Sequence, residues 1–246
     1  MQRKIISPLA LNVKMPYFCI SPIGLILFFK TNTMKKILII NGHPDRDSYN
    51  AALVKAYATG ASQQANSSVE VLHLIDLEFD LILRYGYKKR TALEPDLLRA
   101  QELLQEADHT VWVYPTWWGG MPALLKGFID RVFLPGFSFS YQENSPFQKQ
   151  LMKGKTARVL TTMDAPVWYY RLVYGNPGHK VMKRVILGFC GYKVRFFTMG
   201  DLRGSSVKQR QQWLEKVHKM GFQEAKSKDA AIGPKRADKG MLMETT

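Results

Sequence analysis

The chain has 246 residues, 46% of them hydrophobic, and a formal net charge of +15 at pH 7. That length and apolar content suit one domain with a buried core. Neither a disulfide-stapled framework nor a cysteine metal site is supported, because Cys19 and Cys190 stand far apart in segments of different character. The cysteine usage is that of a reducing, cytoplasmic protein. The charge predicts attraction to anions, whether nucleotide phosphates, acidic lipids or nucleic acid. Nucleic acid is set aside, since no basic stripe interleaved with aromatics runs along the sequence.

Residues 1 to 33 carry Arg3, Lys4, Lys14 and Lys30 and no acid. Their apolar patch, Met15 to Phe29, is interrupted by Pro16 and Pro22 and falls short of the ~20 residues that span a bilayer. No small-residue cleavage pattern follows it. The expectation is a disordered extension without stable membrane insertion, with the folded unit running from Met34 to Gly221 and a disordered basic tail over 222 to 246.

Within that unit Lys35 to Asn41 contains ILII, a continuous apolar run that predicts a central parallel strand buried on both faces. Gly42 ends it, and the loop HPDRDSYN leads into a helix from Ala51 to Ala65. Ser48 or Asn50 is placed to cap that helix. A helix start after a first strand offers free N–H groups and a positive dipole end to a phosphate. His43, Ser48 and Asn50 would then be either side-chain donors to that phosphate or a loop histidine beside two caps. Val69 to Leu74 alternates as a second strand, residues 76 to 92 form a loop, and Glu94 to Ala107 has helical periodicity led by Pro95 and Asp96.

A third strand, Thr110 to Tyr114, opens the stretch VWVYPTWWGGMPALLKGFIDRVF, in which Pro115, a turn of two tryptophans and two glycines, and a helix from Pro122 to Val132 follow in order. Glycine lets backbone approach a ligand closely, and Trp117 and Trp118 offer flat faces to a ring or, alternatively, plug a core. Phe137 to Tyr141 alternates as a short extended arm. A fourth strand from Ala157 to Thr162 ends in a second loop, Met163 to Pro166, at the same edge of the sheet. Lys180 to Phe189 is helical, Tyr192 to Met199 is a fifth strand, and Val207 to Met220 is a final basic helix. Five strands alternating with helices predict an α/β, doubly wound parallel sheet.

In such a sheet the loops after strands one, three and four converge on one crevice outside the carboxyl ends. The first brings anion-binding groups, the second a glycine turn with aromatic walls, and the third Thr161, Thr162 and Asp164. A phosphate seat beside a flat slot describes a flavin nucleotide. No paired carboxylates, Ser/His/Asp set, metal-spaced histidines, Gly-x-Gly-x-x-Gly or Walker pattern competes with it. A cofactor that performs its own chemistry is the economical answer.

From Lys36 to Met220 the sequence resembles the flavodoxin-like NAD(P)H:quinone oxidoreductase family, whose members include the mammalian diaphorases. The resemblance is carried by His43, Ser48, Tyr49 and Asn50 in an H-x4-S-[FY]-N pattern and by PTWWGGMPALLKGFIDRVFLPGF. It implies a three-layer α/β/α fold with strand order 2-1-3-4-5, bound FAD or FMN, NAD(P)H as donor, and ping-pong hydride transfer through flavin N5 to a quinone or similar flat electrophile. By the same resemblance His43, Ser48, Tyr49 and Asn50 contact the flavin phosphates or their neighbourhood. Pro115, Thr116, Trp117, Trp118 and Gly119 border the isoalloxazine, and Thr161 and Thr162 its far side; Asp164 is expected at the site from the third loop alone. Tyr169 and His179 stand in for the tyrosine and histidine that assist proton movement, and a second subunit completes the crevice as a homodimer. The family has small residues after the two threonines where this chain has Met163 and Asp164. An alternative reading is a flavoprotein regulatory subunit of a glutathione-gated potassium efflux system, which the basic surface also suits.

Overall fold

Five parallel strands, β1 (Lys35–Asn41), β2 (Ser67–His73), β3 (His109–Pro115), β4 (Thr156–Thr162) and β5 (Lys193–Met199), form one sheet in the order β2-β1-β3-β4-β5. This computed structural model describes residues 34–143 and 145–226; the expected N-terminal extension and residues 227–246 of the expected tail lie outside the described residues. The ILII run of β1 is continuous because both faces of the strand are covered: Leu38 and Ile40 enter one core, Ile37 and Ile39 the other. In β3, Trp112 and Tyr114 face the first core while Val111 and Val113 face the second.

Helices α1 (Tyr49–Ser62) and α6 (Val207–Lys226) cover one face; α2 (Pro95–Glu106), α3 (Ala123–Val132) and α5, the helical stretch from Pro177 to Cys190, contribute to the core on the other. Gly60 faces the His218 carbonyl and Gly221 the Tyr57 carbonyl so closely that a Cβ at either would collide, which draws α1 and α6 together. Helix α5 begins at Pro177–Lys180, continues as a π-helical Val181–Leu187 and closes with Gly188–Cys190. The arm expected over Phe137 to Tyr141 supplies two residues, Phe139–Ser140, to an antiparallel ladder with Lys149–Gln150.

Two elements depart from the sequence reading. Helix α4 (Val167–Leu172) follows the loop expected over Met163 to Pro166, in a stretch to which the sequence reading assigns no element; it is short, begins behind Pro166, and has no room for a helical repeat to declare itself. Helix α6 runs to Lys226, so residues 222–226, expected in the disordered tail, are helical. Their anchor is Glu224. Its carboxylate pairs with Arg158 of β4 and accepts the Tyr57 hydroxyl at 2.7 Å, while Lys35 Nζ donates to its carbonyl at 2.6 Å. Burial works against the Glu224 charge, but hydrogen bonds from His109 and Arg158 hold its pKa down at about 2. Burial keeps the neighbouring His109 pKa below its ordinary value, and its Nδ1 lies 2.7 Å from Thr156 Oγ1.

Candidate functional site

Parallel register places Asn41 opposite Val113, and Pro115 opposite Thr162, so the three loops of interest leave the sheet side by side. The ladder continues beyond the strands: Gly42 N–H donates to Val113 O at 2.8 Å, Thr116 N–H to Thr162 O at 2.7 Å and Met163 N–H to Met199 O at 3.0 Å. Loop positions are thereby fixed by backbone, leaving side chains free to face a ligand.

A cleft of about 620 Å³ opens at this edge, within the range that holds small-molecule ligands. Thr116, Trp117, Trp118 and Gly119 line one side, Met163, Asp164 and Ala165 the other, and Tyr170, Tyr174 and Pro177 the end. Between Trp117 and Gly120 the backbone closes a two-residue turn, with both reciprocal N–H to carbonyl bonds at 2.9 Å. Trp118 and Gly119 at its centre have φ of 50° and 77°, the double left-handed geometry of a type I′ turn. Glycine tolerates this; tryptophan is strained there. The Trp118 ring stands fully in solvent at the cleft rim and Trp117 is also exposed, so the alternative that both tryptophans plug a core does not hold.

Gly119 is also where the turn is fastened. Its carbonyl accepts the Tyr170 hydroxyl at 2.9 Å and the Gly178 N–H at 3.0 Å, and that N–H also reaches the Tyr170 oxygen at 2.9 Å. A Cβ on Gly178 would stand 2.6 Å from the Gly119 carbonyl oxygen, so the start of α5 can seat on the turn only as glycine. Sequence reasoning missed Tyr170, Tyr174 and Gly178. Their signal was a run of aromatics before a Pro-Gly pair, without a periodicity to say which ring faces inward.

At the first loop Ser48 caps α1, its side chain accepting from Ala51 N–H at 3.3 Å. His43 sits edge-on to Trp117, ring centroids 5.7 Å apart, joining the first loop to the aromatic wall. Its Nδ1 accepts the Asp45 N–H at 2.9 Å, which leaves the proton on Nε2. Partial burial lowers the His43 pKa against the opposing pull of Asp45. Asn50 is buried; its Oδ1 accepts the Thr162 hydroxyl at 2.8 Å, while its Nδ2 donors have no partner. Tyr49 turns the other way: its hydroxyl donates to the Arg210 carbonyl at 2.7 Å and its ring lies against Trp213 of α6, burial raising its pKa to about 12.

The remaining expected residues divide. Asp164 is exposed in the cleft wall, Pro115 and Thr162 are buried at strand ends, and Thr161 is buried with its hydroxyl 3.4 Å from His179 Nε2. His179 lies between Thr161, Thr198, Phe196 and Tyr170 rather than among the cleft-lining residues. Burial, with a contribution from Arg171, brings its pKa down to about 4. Tyr169 packs on Trp168 and Tyr174, whose ring lines the cleft in its stead.

The family model described as the flavodoxin-like fold matches residues 35–220. The chain belongs to the flavodoxin-like NAD(P)H:quinone oxidoreductase family. It is 30% identical over 185 residues to the ribosyldihydronicotinamide dehydrogenase [quinone] of Mus musculus, a match covering 65% of this chain and 78% of that one. Over 187 residues it is 28% identical to NAD(P)H dehydrogenase [quinone] 1 of Cavia porcellus, and this match covers 65% of the chain but 66% of that longer relative, just under two thirds. Among solved structures, Smu.1420 from Streptococcus mutans UA159 superposes with a TM-score of 0.68 at 32% identity, covering 76% of this chain and 99% of that one. Family membership thus agrees with the five-stranded sheet and its order, both read from the structure independently.

Proposed function

We propose that this chain is a flavin-dependent NAD(P)H oxidoreductase of the quinone dehydrogenase type. The observation that carries the reading is the unpartnered Nδ2 of buried Asn50 beside the capped start of α1, next to a cleft walled by Trp117, Gly119, Met163 and Ala165. A buried amide with spare donors next to a helix N-terminus suits the polar end of FAD or FMN, and the adjoining slot suits its ring. Bound there, a flavin supplies two-electron chemistry, with hydride received at N5 from NAD(P)H and passed in a second half-reaction to a quinone or similar flat electrophile.

The chain's own share is binding and orientation. His43, Ser48 and Asn50 hold the polar end; Thr116, Trp117, Gly119 and Asp164 border the ring. The Tyr170 and Gly178 clamp keeps the turn from moving when NAD(P)H and acceptor alternate in the slot. His179, neutral through the physiological range, serves as a hydrogen-bonding support for Thr161 and Thr198, and Tyr169 supports the cleft-facing Tyr174. Reduced nicotinamide nucleotides place such an enzyme in the cytoplasm. A second copy of the chain is the proposed occupant of the face carrying exposed Tyr85, Tyr87, Tyr141 and Phe147.

Purified protein is expected to be yellow, absorbing near ~450 nm as an oxidised flavin does, and to bleach when NADH or NADPH is added without oxygen. Protein that stays colourless after incubation with both FMN and FAD would overturn the reading.

A further inference from the structure

From Ala165 to Gly200 the chain contains no Asp or Glu, while it carries Arg171, Lys180, Lys183, Arg184, Lys193 and Arg195. Within that acid-free stretch, α4 and the π-helical part of α5 leave Trp168, Leu172, Val173, Val181 and Val185 exposed. Leu172 is 75% and Val185 64% exposed, so neither aliphatic side chain is held in the core. Trp168 and Leu172 are four residues apart on α4 and share a face, as do Val181 and Val185 one turn apart on α5. The cations Arg171, Lys180, Lys183 and Arg184 are exposed between them. Gly178 N–H of α5 donates to the Tyr170 hydroxyl of α4 at 2.9 Å and the Tyr170 ring lies edge-on to His179, so the two helical segments adjoin. This ridge borders the cleft mouth, whose rim holds Trp118 and Tyr174, themselves exposed.

Tryptophan and aliphatic side chains interleaved with lysine and arginine, without acids, are the composition of an interfacial helix on an anionic membrane. A protein partner fits less well, since protein interfaces disfavour lysine. The whole chain, at +15, adds long-range attraction of the same sign. No described helix is long and apolar enough to cross a membrane, so the contact is peripheral. The ridge shares no residue with the tyrosine-rich face assigned above to a second copy.

We propose that the chain docks through this α4–α5 ridge onto an anionic phospholipid surface. Resting on the quinone reading above, we further propose that its acceptor is quinone carried in the bilayer, entering the cleft past Trp118 and Tyr174.

The test is co-sedimentation of the full chain with vesicles of phosphatidylcholine and phosphatidylglycerol, against vesicles of phosphatidylcholine alone. Binding is expected to the first and to weaken with salt. Each cation at such a surface is worth about fivefold in partitioning, so the Lys183→Gln/Arg184→Gln double variant should bind about 25-fold less tightly. Leu172→Ser/Val185→Ser should lose at least about tenfold. All four positions are exposed, so both variants should melt like the parent and reduce a water-soluble quinone at the parent rate. They should fall behind it only with a long-chain quinone embedded in the vesicles. Protein left in the supernatant with anionic vesicles, or both variants sedimenting like the parent because another segment binds, would overturn docking through the ridge. Parental rates of both variants on the embedded quinone would overturn the bilayer acceptor alone. Vesicle binding without turnover of either quinone would leave the docking supported and overturn the quinone reading instead.

Discussion

The phenolic oxygen of Tyr170 stands 2.9 Å from the carbonyl oxygen of Gly119 and donates its proton to it. Burial raises the Tyr170 pKa, which keeps that proton in place. Because the same phenol accepts from Gly178 N–H, one hydroxyl ties the turn after β3 to both α4 and α5. Tyr170→Phe removes both bonds while preserving the packed ring. It should cost about 1–2 kcal/mol in denaturant unfolding and weaken FMN affinity in a fluorescence titration.

Gly178→Ala sets two effects against each other. In a helix, alanine is ordinarily favoured over glycine by about 1 kcal/mol. Here the new Cβ would lie 2.6 Å from the Gly119 carbonyl oxygen, backbone that can yield only by moving the turn. Overpacking of that kind costs about 1–3 kcal/mol, so a net loss of stability is expected where propensity alone forecasts a gain. Urea midpoints of the two proteins decide the sign.

Trp118→Gly should stabilise the chain. The ring buries nothing, and a left-handed φ costs a non-glycine residue about 1–2 kcal/mol, partly offset by the greater unfolded-state freedom of glycine. A net gain of about 0.5–1 kcal/mol is expected by thermal unfolding. Loss of the ring from the cleft rim should raise KM for a quinone with little change in kcat, the pattern of lost uniform binding.

Acid should weaken the fold from its far edge. Glu224 has a folded pKa of about 2 against an ordinary 4.5, so its contribution is complete above about 4.5 and is lost as pH falls toward 2. That shift corresponds to about 3 kcal/mol. His109, held neutral by burial, acts in the same sense, since the unfolded chain takes up its proton first as pH falls through 6.5. Stability measured against pH should decline below 6.5 and more steeply below 4.5. Glu224→Gln should flatten the steeper limb while lowering stability at neutral pH by about 3 kcal/mol, because the largely covered Arg158 loses its counter-charge.

Legibility in the sequence followed the physics of each segment. The ILII run of Lys35–Asn41 was readable because a strand is apolar without a break where both of its faces are covered. The cap of α1 was readable to Ser48 or Asn50 because capping leaves a residue-type signature, and it falls on Ser48. The convergence of Trp117, Gly119 and Asp164 followed from topology alone. What could not be read was direction. Along α4 successive side chains turn by about 100°, and aromatics in a row cannot say which one faces the cleft; its lining takes Tyr170 and Tyr174 and not Tyr169. Tyr49 looked toward a phosphate in a motif and turns to Arg210 because α6 packs there. Glu224 fell in a polar tail by composition; its partners Arg158 and His109 lie dozens of residues away.

The π-helical stretch Val181–Leu187 has a consequence for how the site is kept in adjustment. A π turn closes its hydrogen bonds one residue later than an α turn, as the Gly188 N–H does to the Lys183 carbonyl. The segment therefore works like a shim: it takes up a surplus residue inside the helix and lets both ends stay in register with what they touch. Upstream that is the Gly119 turn, downstream the Tyr192 junction with β5. Length variation that in a regular helix would swing Gly178 off its seat is absorbed midway, on the exposed side formed by Lys183, Arg184 and Val185, while Met182 and Leu187 stay in the core.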